Sequence, residues 1–387
     1  MLIIKNDKLK DKDYEDKPRV LIVGPASPSK GGIPSYIDDL LSSQLNDHFY
    51  LTILDPLALK QRCKKQESHL SLKEVVSALR VITIFIKTVR KYNPELLHIH
   101  TSSYWGFYEK AALLAIVKII FNKKVILHIH GGEFDLFYKH SPWKKFICRI
   151  LRWADKTLIV SKKFKEVIKE DCLICVDNST CFSEDWKYVD KDKLVGKYGF
   201  NSNKILFLSL ALLEKRKGIY ETLQVFKSLA ARRDDFLYII AGEGPEKERL
   251  SEFIIENGLT DNIKMLDFVS GQNKKELLFM ADAFILNSSN ESFGVSLVEA
   301  VSHGLFVITT PVGIASDAEN IFDDSNCIRV PIGNNLALEK AICNLLDKKI
   351  NIAAIREMNY YNFKSRFDIE PVFEKMKKIY EEVLNMN

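Results

Sequence analysis

Two glutamates, Glu291 and Glu299, flank a short apolar segment within NSSNESFGVSLVEA, residues 287–300. An ionised carboxylate accepts two hydrogen bonds at once, so it suits the vicinal diol of a ribose or another sugar. The pattern predicts a helix that starts near Gly294 and carries Glu299 about one turn inside. Because helical side chains tilt toward the N-terminus, Glu299 would lean back toward a ligand there, and Glu291 would reach it from the other side.

The start of this helix is itself suited to phosphate. The N–H groups of Val295 and Ser296, which follow Phe293 and Gly294, would have no partner inside the helix. Such donors at the positive end of a helix bind phosphate oxygens. A phosphate between two diol-binding glutamates indicates a nucleotide-sugar as the ligand.

A run of positive charge precedes Gly218 in the stretch LLEKRKGIYETL. Arg216 and Lys217 follow a strand predicted over 204–212, and ligands of parallel sheets bind beyond the carboxyl ends of the strands. Cations placed there can clamp a diphosphate, although a solvated turn would explain the same residues. If this backbone were extended, the side chain of Arg216 would point away from that of Lys217.

Glycine turns stand at comparable positions. Gly31 and Gly32 separate the strand predicted over 19–24 from a helix, and Gly242 lies in the turn AGEGP. Glycine lets a backbone approach a ligand closely, but a plain tight turn explains Gly31-Gly32 equally well. The loops lack G-x-G-x-x-G and G-x-x-x-x-G-K-[ST], so neither a dinucleotide fingerprint nor a P-loop is present.

Short apolar strands alternate with amphipathic helices in both halves of the chain, and the polar stretch 183–203 interrupts the alternation. This pattern predicts an α/β protein with two doubly wound, parallel-sheet domains, which are Rossmann-like and face each other across a cleft.

Composition and charge agree with two globular domains. The 387 residues are 47% hydrophobic and 28% charged. Residues 1–190 carry 31 Lys and Arg against 23 Asp and Glu, whereas residues 191–387 carry 25 against 28. A basic half suggests an anionic partner, and a solvated basic face is the competing explanation.

The sequence predicts a cytoplasmic location. Seven scattered cysteines are typical of reduced thiols; Cys172 and Cys175 have the spacing of a metal or redox pair but no second pair or nearby histidine. The N-terminus mixes charges too early for a signal peptide. The longest apolar run, 111–121, is about half a membrane span and contains Lys118.

The ordered set of motifs resembles the large group 1, or family 4, of retaining glycosyltransferases with the GT-B fold, which includes many bacterial transferases of polysaccharides and lipid-linked sugars. Its signature matches ESFGVSLVEA: a glutamate, an aromatic-glycine pair and a second glutamate eight positions on. The other matches follow in the family's order, namely the Gly31-Gly32 loop, HIHGGEFD, LIVSKKFKEVI, DNSTCF, KRKG, AGEGP and PVGIASD.

The resemblance implies a role for each matching residue. Glu299 would hold the donor ribose, Glu291 would contact the donor sugar, and Lys217 would bind the diphosphate. The Gly31-Gly32 loop would close on donor and acceptor, and His130 would lie by the reacting carbon. The sugar would leave a nucleotide diphosphate with its configuration retained, by same-face attack in which the leaving phosphate takes the acceptor proton.

The resemblance implies no metal or other cofactor, because cations and helix ends neutralise the leaving diphosphate. We therefore expect the remaining histidines of the HIH motifs to be structural: His98, His100 and His128. Two departures stand out. The family's arginine a few residues before the lysine is missing, so Arg216 is the candidate replacement, and DNST, residues 177–180, replaces the family's asparagine-glycine pair.

The break in the alternation and the resemblance together predict the domain division. It consists of an N-terminal extension (1–18), an acceptor-side domain (19–185), a linker (186–203), a donor domain (204–365) and a C-terminal helix (366–387). As in the family, this last helix is expected to cross back to the first domain.

The acceptor is expected to be a glycan or lipid-linked glycan in cell-surface polysaccharide synthesis. The stretch PWKKFICRILRW, residues 142–153, has two unlike helical sides. One side carries Trp143, Phe146, Ile147, Ile150 and Leu151, and the other Lys144, Lys145, Arg149 and Arg152. Such a helix suits peripheral contact with an anionic membrane, and equally a core position with a basic outer face.

Three other functions remain open from the sequence. A nucleotide-sugar epimerase of the same fold would consume donor without an acceptor. A non-catalytic nucleotide-sugar-binding module would be favoured if the missing arginine is decisive. A nucleic-acid-binding protein is disfavoured, because no aromatic-basic recognition motif occurs.

Overall fold

The computed structural model describes residues 3–4, 17–26, 29, 31–56, 72–182, 184–316, 322, 327–347 and 350–386. The chain forms two compact units. Unit 1 comprises Met1–Ser179 together with Ile369–Asn387, and unit 2 comprises Thr180–Asp368.

Within the described residues, thirteen strands build the two sheets. They are β1 (Ile3–Ile4), β2 (Arg19–Val23), β3 (Tyr50–Leu54), β4 (Leu96–Thr101), β5 (Lys124–Ile129), β6 (Lys156–Ile159), β7 (Leu173–Cys175), β8 (Ile205–Leu210), β9 (Phe236–Ala241), β10 (Ile263–Leu266), β11 (Ala283–Leu286), β12 (Phe306–Thr309) and β13 (Cys327–Arg329). All residues of β4 and β9 are buried, as expected of parallel strands that are covered on both faces.

Helices connect and cover these strands. The α-helices within the described residues are α1 (Gly32–Ser42), α2 (Leu45–His48), α3 (Leu72–Tyr92), α4 (Trp105–Ile116), α5 (Phe134–His140), α6 (Lys144–Trp153), α7 (Lys162–Ile168), α8 (Lys191–Lys197), α9 (Ile219–Ala230), α10 (Lys247–Glu256), α11 (Gly271–Met280), α12 (Val295–Ser302), α13 (Asn335–Leu346), α14 (Ile352–Phe367) and α15 (Ile369–Leu384). A π-helical segment, Val117–Phe121, extends α4, and 3₁₀ turns occupy Glu184–Lys187, Lys215–Lys217 and Gly313–Ser316.

Each unit has one sheet with a change of winding direction. In unit 1 the order is β1-β3-β2-β4-β5-β6-β7, with β1 antiparallel to β3 and the other neighbours parallel. In unit 2 the order is β10-β9-β8-β11-β12-β13, all parallel. The order reverses between β2 and β4 and between β8 and β11, which is where ligands of doubly wound sheets bind. The predicted fold class is confirmed.

The C-terminal segment divides at Asp368. Helix α14 belongs to unit 2 and α15 to unit 1. The apolar face of α15 enters the core of unit 1, where Phe373, Met376 and Tyr380 are at most 3% exposed. The amide of Phe182 donates to the Asp368 carboxylate at 3.2 Å, which ties the junction on the unit 2 side.

Two features differ from the predicted division. Residues 186–203, expected to be a linker, belong to unit 2, where Lys197 and Tyr198 both bond the Glu276 carboxylate at 2.8 Å. The boundary lies after Ser179. Most of the predicted extension over 1–18 lies outside the described residues. Its described part includes β1. In the described part of the chain, no helix combines the length and apolarity that a bilayer crossing needs.

Candidate functional site

Lys217 and Glu291 meet where the winding of the unit 2 sheet reverses. Lys217 ends the 3₁₀ turn after β8, and Glu291 lies in the loop after β11. The Lys217 ammonium contacts Glu291 Oε1 at 2.5 Å, and the Ser288 hydroxyl donates to the same oxygen at 2.8 Å. Both charged side chains are largely buried, at 12% and 9% exposed. The strand order thus joins residues that are 74 positions apart.

Gly218 allows the two loops to approach. Its φ is 65°, and a Cβ there would meet the Asn287 carbonyl oxygen at 2.0 Å. The side-chain amide of Asn287 also donates to Thr222 Oγ1 at 3.3 Å, and the backbone N–H of Ser289 donates to the Arg216 carbonyl at 2.8 Å. A side chain at position 218 would therefore separate Lys217 from Glu291.

Arg216 turns toward the same carboxylate. Its Nη1 donates to the Asn290 carbonyl at 3.1 Å and lies 3.7 Å from Glu291 Oε2, while its Nε bonds Glu214 at 2.8 Å. The backbone is a 3₁₀ turn and not extended, so adjacent side chains do not alternate. Arg216 and Lys217 therefore place two cations beside one glutamate.

The predicted helix N-terminus is present. Gly294 has φ 95° and precedes α12, so Val295 and Ser296 form its first turn, which no side chain among the described residues caps. The preceding Phe293 is 1% exposed and packs on Phe367 at a centroid distance of 5.9 Å. Its carbonyl accepts from the amide of Ile314 at 2.7 Å, which anchors the loop.

Glu299 lies on the second turn of α12 and is paired separately. Lys274 of α11 contacts Glu299 Oε1 at 2.6 Å, and the glutamate side chain is 13% exposed. Each of the two signature glutamates is thus held by its own lysine. Gly242 directly follows β9 and has a packing reason to be glycine, since a Cβ there would lie 1.9 Å from the Ala211 carbonyl oxygen.

In unit 1, Gly31 and His130 belong to one neighbourhood. Gly31 has φ 133° and forms the N-cap of α1, which Gly32 begins. Tyr36 of the same helix packs against His130 with ring centroids 5.3 Å apart. Helix α1 follows β2, so the loop stands at the point where the unit 1 sheet changes direction.

Four buried histidines lie on one face of β4 and β5. We call them the histidine cluster: His98, His100, His128 and His130. His100 Nδ1 lies 2.9 Å from His130 Nε2, and His98 Nε2 lies 3.2 Å from His128 Nδ1. Burial lowers the pKa of His130 to about 3, and burial together with His130 does the same for His98. The rings are therefore neutral near pH 7.

Helix α6 packs its aliphatic residues inward. Ile147, Ile150 and Leu151 are at most 3% exposed, whereas Trp143 and Phe146 are 63% and 42% exposed. The sequence predicted that Trp143 and Phe146 lie on the aliphatic side of the helix. The two aromatic residues instead share the outer surface with the lysines. Among the basic residues of this helix, Arg152 is engaged by Glu170 through two hydrogen bonds, at 2.8 and 3.0 Å.

Several contacts of these residues carry no signal in the sequence. Ser288 and Lys274 partner the two signature glutamates, and Tyr380 lies 2.7 Å from His98 Nδ1 although 282 positions separate the two residues. A serine close to a glutamate, a surface lysine and a tyrosine in a C-terminal helix are each common, so only the folded structure reveals them.

Models of known protein families match this chain separately in each of its two units. A model described as "Glycosyl transferases group 1" matches residues 190–363, and one described as "Glycosyltransferase Family 4" matches residues 31–177. The O-antigen biosynthesis glycosyltransferase WclY of Escherichia coli is 25% identical over 70% of this chain and 75% of its own length. The GDP-mannose:cellobiosyl-diphosphopolyprenol alpha-mannosyltransferase of Xanthomonas oryzae pv. oryzae is 26% identical over 56% of each chain.

Solved structures agree on the fold. Sucrose-phosphate synthase from Thermosynechococcus elongatus superposes with a TM-score of 0.77 at 15% identity, over 95% of this chain and 99% of that one. Anabaena HepE in complex with UDP and glucose superposes with a TM-score of 0.71 at 16% identity, over 94% of this chain and 100% of that one.

Proposed function

Because the chain belongs to the group 1 glycosyltransferases and has their two-domain GT-B fold, we propose that it transfers a sugar from a nucleotide diphosphate sugar to a glycan or lipid-linked glycan. We further propose that the anomeric configuration is retained. Donor binding is assigned to unit 2. The observation that carries this assignment is the meeting of Lys217, Arg216 and Glu291 at the reversal of the unit 2 sheet.

In this proposal Lys217 and Arg216 bind the diphosphate. A phosphate oxygen that approaches Lys217 competes with Glu291 for its ammonium, and Glu291 is then available to a sugar hydroxyl. Charge on the leaving diphosphate grows as the glycosidic bond breaks, so these fixed cations stabilise the transition state more than the ground state. For the same reason the transfer itself is proposed to need no metal ion.

The first turn of α12 completes the donor site. The amides of Val295 and Ser296, in the first turn after Gly294, are proposed to donate to phosphate oxygens. Glu299 is proposed to accept both hydroxyls of the ribose, with Lys274 orienting its carboxylate. Gly242 is assigned to the same site through its place at the end of β9.

Acceptor-side roles are assigned to unit 1. The Gly31-Gly32 loop is proposed to close on the substrates, and His130 to lie by the reacting carbon. As a neutral imidazole, His130 can exchange hydrogen bonds with sugar hydroxyls without adding charge. In same-face attack, the leaving phosphate takes the acceptor proton, so no second carboxylate is needed as a nucleophile.

A lipid-linked acceptor is favoured by the outer face of α6. Trp143 and Phe146 are exposed there beside Lys144, Lys145 and Arg149. Exposed aromatics next to lysines suit the interface of an anionic membrane. The names of the Escherichia coli and Xanthomonas relatives, an O-antigen transferase and a diphosphopolyprenol transferase, support a cell-surface polysaccharide pathway. We propose peripheral association with the cytoplasmic face of the membrane.

The test is a panel of nucleotide-sugars, incubated with and without a bacterial lipid extract, with nucleotide release and product as readouts. Transfer predicts release that depends on the extract and yields a glycosylated lipid with the donor's anomeric configuration. Donor consumption without extract would indicate an epimerase, and binding without any release would indicate a non-catalytic module. Lys217→Ala should abolish most of the release, whereas Lys215→Ala, an exposed neighbour in the same turn, should not.

A further inference from the structure

The histidine cluster leaves three ring nitrogens without a partner. Its members occupy one face of the unit 1 sheet, because His98 and His100 alternate on β4, and His128, paired with His100 across the ladder, alternates with His130 at the end of β5. They are at most 6% exposed. Among the described residues, His100 Nε2, His128 Nε2 and His130 Nδ1 have no hydrogen-bond partner. Buried polar atoms in native proteins are nearly always satisfied, so the orphaned His100 Nε2 indicates a missing partner.

The other ring nitrogens are held in the way that metal-binding histidines are held. His98 Nδ1 lies 2.7 Å from the hydroxyl of Tyr380, and His100 Nδ1 lies 2.9 Å from His130 Nε2. A ligating histidine uses one ring nitrogen for the metal and the other for a hydrogen bond that fixes its orientation. In His100 this arrangement leaves Nε2 as the nitrogen for an ion, and in His98 an ion would replace the contact of Nε2 with His128 Nδ1.

The spacing of the nitrogens also suits an ion. One ring nitrogen from each of His98, His100 and His128 lies within 4.8 Å of the others. The separation of His98 Nε2 and His128 Nδ1 is 3.2 Å. Two nitrogens that bind the same tetrahedral zinc at ~2.0–2.1 Å are about 3.3–3.4 Å apart.

We propose that His98, His100 and His128 bind one divalent transition-metal ion of the zinc type in unit 1. Imidazole nitrogens suit zinc and its neighbours in the first row, and three protein ligands leave a fourth position for water or hydroxide. This revises the expectation that these histidines are only structural. All ligands of the ion belong to unit 1, whereas the proposed diphosphate contacts belong to unit 2.

The alternative is a histidine network that holds no ion. In that case each neutral ring still has one N–H and one lone pair, and His100 Nε2 stays without a partner among the described residues. The metal site and the ion-free network differ in an observable way, because only the metal site binds an ion with defined stoichiometry.

The experiment uses the full-length protein after treatment with a strong chelator. Zinc affinity is measured by competition with a chromophoric chelator, and Co²⁺ binding is followed by visible absorption. We expect one ion per chain and a tetrahedral Co²⁺ spectrum without thiolate charge-transfer bands. His100→Ala and His128→Ala should each weaken zinc binding by about 100-fold or more, at least as much as losing an outer partner of a ligand.

Two controls locate the ion. His140→Ala removes an exposed histidine of unit 1, and Cys172→Ser with Cys175→Ser removes the paired thiols, so neither variant should change zinc affinity. Failure of the wild-type protein to bind zinc at micromolar concentration overturns the proposal. So does thiolate absorption with Co²⁺, or binding that survives in folded histidine variants. The Co²⁺ spectrum of the wild-type protein decides the ligand type even if a variant does not fold.

Discussion

At the scale of single residues, Lys217 carries the sharpest expectation. Its side chain is 12% exposed, and its ammonium lies against Glu291 beside Arg216. Lys217→Ala should lower kcat by roughly 100-fold, and weaken donor binding less, because charge on the leaving diphosphate develops only as the bond breaks. The measurement is steady-state kinetics against donor concentration, with calorimetry for donor affinity. Lys215→Ala is the matched control.

A second variant, Arg216→Ala, tests which of the two cations binds the diphosphate in the proposed site. If it replaces the arginine that the family usually has upstream, Arg216→Ala should show the same pattern as Lys217→Ala. Near-normal turnover in Lys217→Ala with a loss in Arg216→Ala would mean that Arg216 is the principal diphosphate ligand. If neither substitution changes turnover, the diphosphate is not held at this turn.

Glu299 makes a second prediction at this scale. Glu299→Ala should weaken nucleotide binding by about 1.5–3 kcal/mol, because the ribose diol loses a charged acceptor of both its hydrogen bonds. Isothermal calorimetry with the donor's nucleotide measures this. Lys274→Ala is the control, since it removes the 2.6 Å partner and keeps the carboxylate. Equal losses in both variants would show that the ion pair, and not a direct contact of Glu299 with ribose, determines affinity.

At the scale of elements, α6 tests membrane contact. Lys144 and Lys145 are exposed on its outer face, where each should contribute roughly 1 kcal/mol at an anionic surface. Lys144→Glu with Lys145→Glu should release the protein from anionic vesicles at low salt in a flotation assay. Lys193→Glu with Lys227→Glu changes the net charge equally on exposed sites of unit 2. Equal release by both pairs would point to bulk charge rather than to α6.

At the scale of the whole molecule, the C-terminal helix α15 completes the core of unit 1. Met376 of α15 is fully buried in the unit 1 core. Met376→Ala should destabilise unit 1 by about 2–5 kcal/mol through lost burial and a cavity. Hydrogen exchange should then accelerate in β4 and β5 but not in β8 and β9. Lys378→Ala, exposed on the same helix, should leave both unchanged. Equal acceleration in both sheets would mean that the two units unfold together.

The sequence by itself determined the α/β class, the alternation of strands and helices in both halves of the chain, and the residues of the ESFGVSLVEA signature. These depend on hydrophobic periodicity and on motifs within about ten residues, where propensity and burial act locally. Glu291, Lys217 and the Gly294 helix start could therefore be named without coordinates.

The tertiary structure decided which distant residues meet. The Lys217–Glu291 contact depends on β8 and β11 being neighbours, and no local pattern states strand order. The inward side of α6 and the unpartnered histidine nitrogens of the described residues are likewise set by packing between segments far apart in the chain. Local sequence specifies which face of an element is apolar, but only the assembled core decides what that face covers.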